Sequence, residues 1–276
     1  MTGRAGPLRP PAARALRATA ATLGLASSTA LALHVLPAGT WLATPRRAFF
    51  PALAGVGRPD HVALTFDDGP DDRATPHFLA ALDRLQARAT FFVLGERLLD
   101  RPALGREIVA HGHELAVHGW THSRPWLPAP GRDTAELARA VAAVRTVSGR
   151  APRWYRPPYG ILTAGRLLAA RRVGLRPVLW SAWGRDWTQE VTPESVLRTV
   201  GRDLAGGGTV LLHDSDHTAA PGCWRATLAA LPALVEQCRS AGLTVGPLDD
   251  HGVLPAGRPR PRAGSGRRPG LGRPAF

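Results

Sequence analysis

A chain of 276 residues, 44% of them hydrophobic, has room for one large α/β domain or barrel with tails. Its net charge of +14 rests on arginine alone, for there is no lysine, and the excess lies at the ends: residues 1–59 hold seven Arg and no acid, residues 256–276 hold six Arg and no acid, and the middle sets 22 Arg against all 21 Asp and Glu. The nearly neutral middle argues against a nucleic-acid-binding domain, while the basic tails suit contact with anionic wall polymers or lipid head groups.

Four Arg up to Arg17 are followed by no Arg, Asp or Glu until Arg46. Residues 18–45 are mostly Ala, Leu, Thr and Ser, long enough for a membrane span or a signal-peptide core, although Pro37 and Gly39 weaken a helix there. Ala30-Leu31-Ala32 resembles a small-residue cleavage site, so a cleaved signal and an uncleaved anchor both fit. Residues 1–57 thus read as an export element plus linker, with the domain outside and Arg inside. From there strand-like runs (61–66, 89–94, 114–118, 153–156, 176–181, 208–213 and 243–247) alternate with helix-like runs (75–86, 102–111, 133–148, 163–173, 193–204 and 225–241). Asp133 and Thr192-Pro193 are helix starts, Gly174 and Gly242 helix stops. Repeated βα units predict a parallel sheet. A distorted, incomplete (β/α)7 barrel over 58–255 fits better than an open doubly wound sheet, because the chemically suggestive residues follow nearly every strand. Gly206-Gly207-Gly208 precedes a strand rather than a helix and reads as a turn, not a phosphate cradle. Cys223 and Cys238 are either paired or two buried free thiols; neither has the neighbours of a metal site. Residues 256–276, rich in Pro, Gly and Arg, read as a disordered tail.

Five short runs carry the chemistry. The apolar stretch His61-Val62-Ala63-Leu64 reads as a buried strand that ends in Thr65-Phe66-Asp67-Asp68-Gly69-Pro70. Adjacent carboxylates belong at the mouth of a sheet or barrel, since buried like charges repel, and Gly69-Pro70 turns the chain. Such a pair suits two tasks, one carboxylate binding a metal and the other handling a proton. In His118-Gly119-Trp120-Thr121-His122 the histidines, four apart, face one way on a helical turn, so both imidazoles reach one ion. With one carboxylate they make a two-nitrogen, one-oxygen set that leaves positions open for water and substrate, as in catalytic zinc sites. His111 and His113 fall at a helix end and a strand start and stay outside this set. In Trp154-Tyr155-Arg156-Pro157-Pro158-Tyr159-Gly160 two prolines fix the backbone, and Arg156 points where a carboxylate needs a partner; a Pro turn with a surface Arg is the plain alternative. The run from Trp180 to Trp187 looks like a sugar-stacking wall with one oriented acid, or simply a piece of core. Finally, Val210-Leu211-Leu212-His213 ends an apolar strand in a general-acid candidate, against which stands a merely buried, hydrogen-bonded His. Asp214, Ser215, Asp216 and His217 read as a substrate-side loop.

In order and spacing these runs resemble the polysaccharide deacetylase family (carbohydrate esterase family 4, the nodulation-type deacetylase homology domain) over about residues 58–250. The resemblance implies a distorted (β/α) barrel and metal-dependent hydrolysis of N-acetyl, sometimes O-acetyl, groups on cell-wall or chitin-like polysaccharide. Carried over residue by residue, it makes Asp67 the base that activates water and Arg156 the holder of that base. Asp68, His118 and His122 become ligands of a divalent metal, zinc foremost, with cobalt or another divalent ion as alternatives. The Tyr159 N–H lines an oxyanion hole. Asp186 orients and charges His213, the acid that protonates the leaving amine, and Leu211, Trp187 and Trp183 face the substrate. Two positions depart from the family pattern: Gly119 stands where Ser or Thr is usual, and Trp183 where an Asp is usual. The expected partner is an N-acetylated polysaccharide and not nucleic acid, with membrane contact through residues 18–45. The protein is expected to be an extracytoplasmic monomer, secreted or anchored by its N-terminal segment. Two other classes stay open: a hydrolase of a non-sugar C–N bond on the same fold, which Trp183 keeps alive, and a non-catalytic wall carbohydrate-binding protein.

Overall fold

The computed structural model describes residues 27–124 and 126–253. Eight strands, all paired in parallel, are β1 (His61–Asp67), β2 (Thr90–Leu94), β3 (Glu114–Gly119), β4 (Trp154–Tyr155), β5 (Arg176–Pro177), β6 (Ala182–Trp183), β7 (Thr209–His213) and β8 (Thr244–Gly246). Their order is β5-β4-β3-β2-β1-β7-β6, with β8 beside the start of β1. The predicted barrel of parallel strands is therefore present, curled and irregular. The strand expected over 176–181 is not continuous. Pro177 has no N–H to extend a ladder, and the stretch changes partner midway. Its start, β5, pairs with β4, and β6, just beyond its expected end, pairs with β7. Between them Val178, Leu179 and Ser181 donate single backbone bonds to Tyr155, Leu53 and Thr209.

Alternation along β1 sets the layers. Val62, Leu64 and Phe66 turn outward into the large cluster under the helices, while Ala63 turns inward and joins Phe92, Ala116, Trp154, Val178 and Leu248 in an apolar plug. Thr65 and Asp67 continue the inward face above that plug, toward the carboxyl end of the strand.

The helices α3 (Thr75–Arg84), α5 (Pro102–Ala110), α6 (Pro130–Ser148), α7 (Ala164–Arg172), α8 (Pro193–Asp203) and α9 (Trp224–Ser240) lie where the sequence places them, and α4 (Gly95–Asp100) is an addition. Thr192 caps α8 in a reciprocal pair with Ser195. Gly174 and Gly242, with φ of +78° and +73°, follow α7 and α9. Cys223 and Cys238 are free and buried, and burial pushes both thiols up to about 11.

Of the apolar stretch 18–45, residues 18–26 lie outside the described residues, as does the tail 256–276. The remainder is broken: helix α1 covers 27–35, a 3₁₀ turn spans Leu36–Trp41 with Pro37 near its start, and α2 spans Ala43–Phe49. Among the described residues no helix is long and apolar enough to cross a membrane.

Candidate active site

Asp67 and His213 are register partners on the adjacent strands β1 and β7, so the first and fifth runs meet at the carboxyl end of the barrel. Asp67 Oδ1 accepts a 2.7 Å hydrogen bond from Arg156 Nη1. The same nitrogen donates to Thr65 Oγ1 at 2.8 Å, and Nη2 donates to the Leu179 carbonyl at 2.8 Å. Arg156 is wholly buried, its guanidinium 4.0 Å from the Phe92 ring centroid. Burial lowers its pKa and the Asp67 carboxylate works against that. Arg156 is thus no surface group on a Pro turn, but the fixed counter-charge of Asp67.

An extended residue after Asp67 would point to the opposite face. Asp68 instead has φ +74°, which brings the second carboxylate to the mouth as well. Opposite it, β3 carries an irregularity: Val93 pairs with Val117 and Leu94 with Gly119, so His118 is the extra residue of a bulge. Such a bulge re-aims a side chain. His118 Nδ1 lies 2.8 Å from the Arg156 carbonyl, which can only accept, so Nδ1 carries a proton and Nε2 is the atom left for the cluster. That Nε2 and His122 Nε2 each lie 3.2 Å from Asp68 Oδ1. Burial pushes His122 down to about 4, against the pull of Asp68, which keeps its ring neutral and its lone pair available. Burial works against charge on Asp68, but the imidazole of His118 beside it holds the carboxyl well below the usual range. Asp68 Oδ2 accepts from Thr218 Oγ1 at 2.7 Å, whereas the buried Oδ1 has no hydrogen-bond partner. Three ligand atoms within 4.8 Å of one another, two imidazole nitrogens and an unsatisfied carboxylate oxygen, form a donor set that fits a divalent cation.

On the other side, His213 Nδ1 donates to Asp186 Oδ1 at 2.8 Å, and Asp186 Oδ2 accepts from the His213 backbone N–H at 2.9 Å and from Thr227 Oγ1 at 2.7 Å. Burial alone lowers the imidazole pKa, but the Asp186 carboxylate overrides it and pushes His213 up to about 10. Tyr159 has φ +57° and its ring meets His122 edge-on at 4.3 Å. Among the described residues its N–H finds no hydrogen-bond acceptor. Leu211 is buried with Leu179 and Trp180, and Trp183 packs on that group. The ring of Trp187 lies 5.3 Å from Trp183 and 5.9 Å from His213. Of the tryptophans at this strand end Trp180 is core, while Trp183 and Trp187 stay half-exposed.

A family model, polysaccharide deacetylase, matches residues 54–178. A chitooligosaccharide deacetylase of Sinorhizobium fredii is 40% identical over 164 residues, 58% of this chain and 74% of the relative. A peptidoglycan-N-acetylglucosamine deacetylase of Bacillus cereus is 31% identical over 66% of this chain and 83% of its own. The chain belongs to the polysaccharide deacetylase family. It is a hydrolase of that family, acting on carbon–nitrogen bonds. Its fold aligns with a family 4 carbohydrate esterase from Streptomyces lividans, solved in complex with acetate, at a TM-score of 0.61 and 31% identity over 68% of this chain and 92% of that one.

The polysaccharide deacetylase site also contains residues to which the sequence reading gives no role. Thr65 lies two positions before Asp67 on the same strand face, a spacing that carries a signal; its hydroxyl donates to the Val210 carbonyl at 2.5 Å while accepting from Arg156. Thr218 and Thr227 lie far along the chain from the carboxylates they bind, and no local pattern marks them. One expectation is corrected: Asp214 and Ser215 do not face a substrate loop but are fully buried. Asp214 accepts from Thr75 Oγ1 at 2.5 Å, and both its oxygens lie 2.7 Å from where a Cβ on Gly69 would sit, so it backs the turn behind the two catalytic-side carboxylates.

Proposed function

We propose that this enzyme removes N-acetyl groups from an N-acetylated cell-wall or chitin-like polysaccharide outside the cytoplasm, with zinc as the cation held by Asp68, His118 and His122. What supports this most directly is that the two titratable pairs, Asp67–Arg156 and His213–Asp186, flank the same three-ligand cluster on neighbouring strands. Bound there, the cation supplies Lewis acidity for the amide carbonyl and for the attacking water. Arg156 occupies Asp67 Oδ1, so Oδ2 is the atom that takes the proton as the water oxygen bonds to the acetyl carbon. The Tyr159 N–H donates to the developing oxyanion, a contact of a kind worth roughly 10²–10³ in rate. His213 holds a proton at neutral pH because of Asp186. With Nδ1 engaged, Nε2 passes that proton to the amine nitrogen as the C–N bond breaks, releasing acetate and a free amine. Leu211 and Trp187 border the acetyl group, and Trp183 stacks on the sugar.

Acetate release by the purified full-length protein, supplied with Zn²⁺ or Co²⁺, tests this across chitin oligomers, peptidoglycan fragments and a non-sugar acetamide. Metal-dependent release from a sugar is expected. Cation-loaded protein that binds sugar without releasing acetate, or turns over only the acetamide, would overturn it.

A further inference from the structure

The aromatic wall of the site does not end at Trp183. The Trp41 ring packs edge-on against Trp183 with centroids 5.8 Å apart and planes at 79°. On its other side Trp41 Cδ1 lies 3.2 Å from where a Cβ on Gly160 would sit, next to Tyr159. Trp41 therefore joins the loop that touches His122 to the tryptophans that reach His213. It is 44% exposed. It also lies before residue 54, where the family match begins.

Its placement is built, not incidental. Arg46, 1% exposed, donates from Nη1 to the carbonyls of Thr40 at 2.7 Å and Trp41 at 2.9 Å, and from Nη2 to the carbonyl of Trp180 at 2.9 Å. Its guanidinium lies 5.1 Å from the Trp180 ring centroid. Burial, with Arg47 adding to it, lowers Arg46 to about 10, which leaves it charged at neutral pH. Among the described residues this buried guanidinium binds three carbonyls and no carboxylate, a costly group to bury. What it achieves is to fix the Trp41 backbone against the strand end that bears Trp183.

We propose that Trp41 is a specificity-determining residue: its exposed face stacks on a pyranose ring beyond the one whose acetyl group reacts, so that the enzyme favours polymer over short oligomers, with Arg46 as its positioning residue. This rests on the deacetylase reading and names its substrate length. A flat apolar ring held rigid beside a site recognises the apolar face of a sugar at small entropic cost.

The test compares full-length wild type, Trp41→Ala and Trp41→Phe on chitin dimer and hexamer, together with tryptophan-fluorescence titration of the hexamer in an Asp67→Asn background. Trp41→Ala is expected to raise KM for the hexamer about tenfold, leave kcat within about twofold and leave KM for the dimer unchanged, with Phe restoring most of the loss. An unchanged hexamer KM, or an equal rise for the dimer, would overturn the proposal. If wild type releases no acetate the deacetylase reading falls; weaker hexamer binding on Trp41→Ala in the titration would still uphold the stacking, and unchanged binding would end it.

Discussion

The Asp186 carboxylate keeps His213 protonated, and that dependence is measurable. An imidazole raised to about 10 stays charged well past neutrality, so the alkaline limb of the rate profile should lie high in wild type. Asp186→Asn removes the raising charge and leaves the burial that lowers the pKa. The alkaline limb should then move to lower pH, and kcat at neutral pH should fall by roughly 10²–10⁴, the usual span of a general acid. A limb that stays put in the pH–rate profile would contradict the assignment. Asp67→Asn separates the two carboxylates by task. Turnover should fall by at least about 10² while metal content by elemental analysis stays at the wild-type level, because Asp67 is not among the three convergent ligands. His118→Ala should lower that content, since it removes one of three donors.

At the scale of single elements the bulge in β3 decides the geometry. It inserts His118 as an unpaired residue and leaves Gly119 with φ +143°, with a Cβ there only 2.9 Å from the Thr121 carbonyl. Both facts require glycine. Gly119→Ser, although it installs the residue type usual for the family at that place, should therefore lower stability by about 1–3 kcal/mol and not raise activity, as read by thermal unfolding and acetate release. The same element shows what the sequence made legible. Two adjacent Asp, and Arg and His at strand ends, are legible because barrel strands deliver their terminal residues to one face. His118 and His122 do converge, but not on the helical turn that their spacing suggests, since His118 is the bulge residue of β3 and His122 lies in the loop beyond it. The bulge was not readable, because register shifts depend on the neighbouring strand. The split of 176–183 into β5 and β6 was equally hidden, since its run of Leu, Val and Trp satisfies a strand pattern whichever partner each half takes.

Across the whole molecule, buried neutral histidines make the fold sensitive to acid. His251 donates from Nε2 toward the carbonyls of Gly55 and Gly207, and its Nδ1 lies 2.8 Å from that of His61. Burial pushes His251 and His113 down to about 4, with a neighbouring His adding to each. A histidine depressed in the folded state contributes fully above about pH 6.5, the unfolded value, and loses that contribution as pH falls toward 4. That histidine contribution should fall by about 3 kcal/mol for each of the two, while Glu114 and Asp214, pushed up by burial to about 8 and 7, act in the opposite sense, so the readout is a difference: in urea unfolding between pH 6.5 and 4, His113→Phe should lose less stability than wild type. An equal pH dependence in wild type and His113→Phe across this window would contradict the assignment. A last consequence comes from the stretch that changes partner between β4 and β7. Arg46 binds the Trp180 carbonyl, Arg47 binds that of Ser181, and the Leu53 carbonyl receives the Leu179 N–H. Residues before the first motif thus act as a splint across the seam of the barrel. A fragment starting at residue 58 keeps every motif yet loses the splint, and its thermal midpoint should drop by roughly 5–10 °C. The stretch that reads in sequence as leader and linker is, in three dimensions, the stave that keeps the vessel shut.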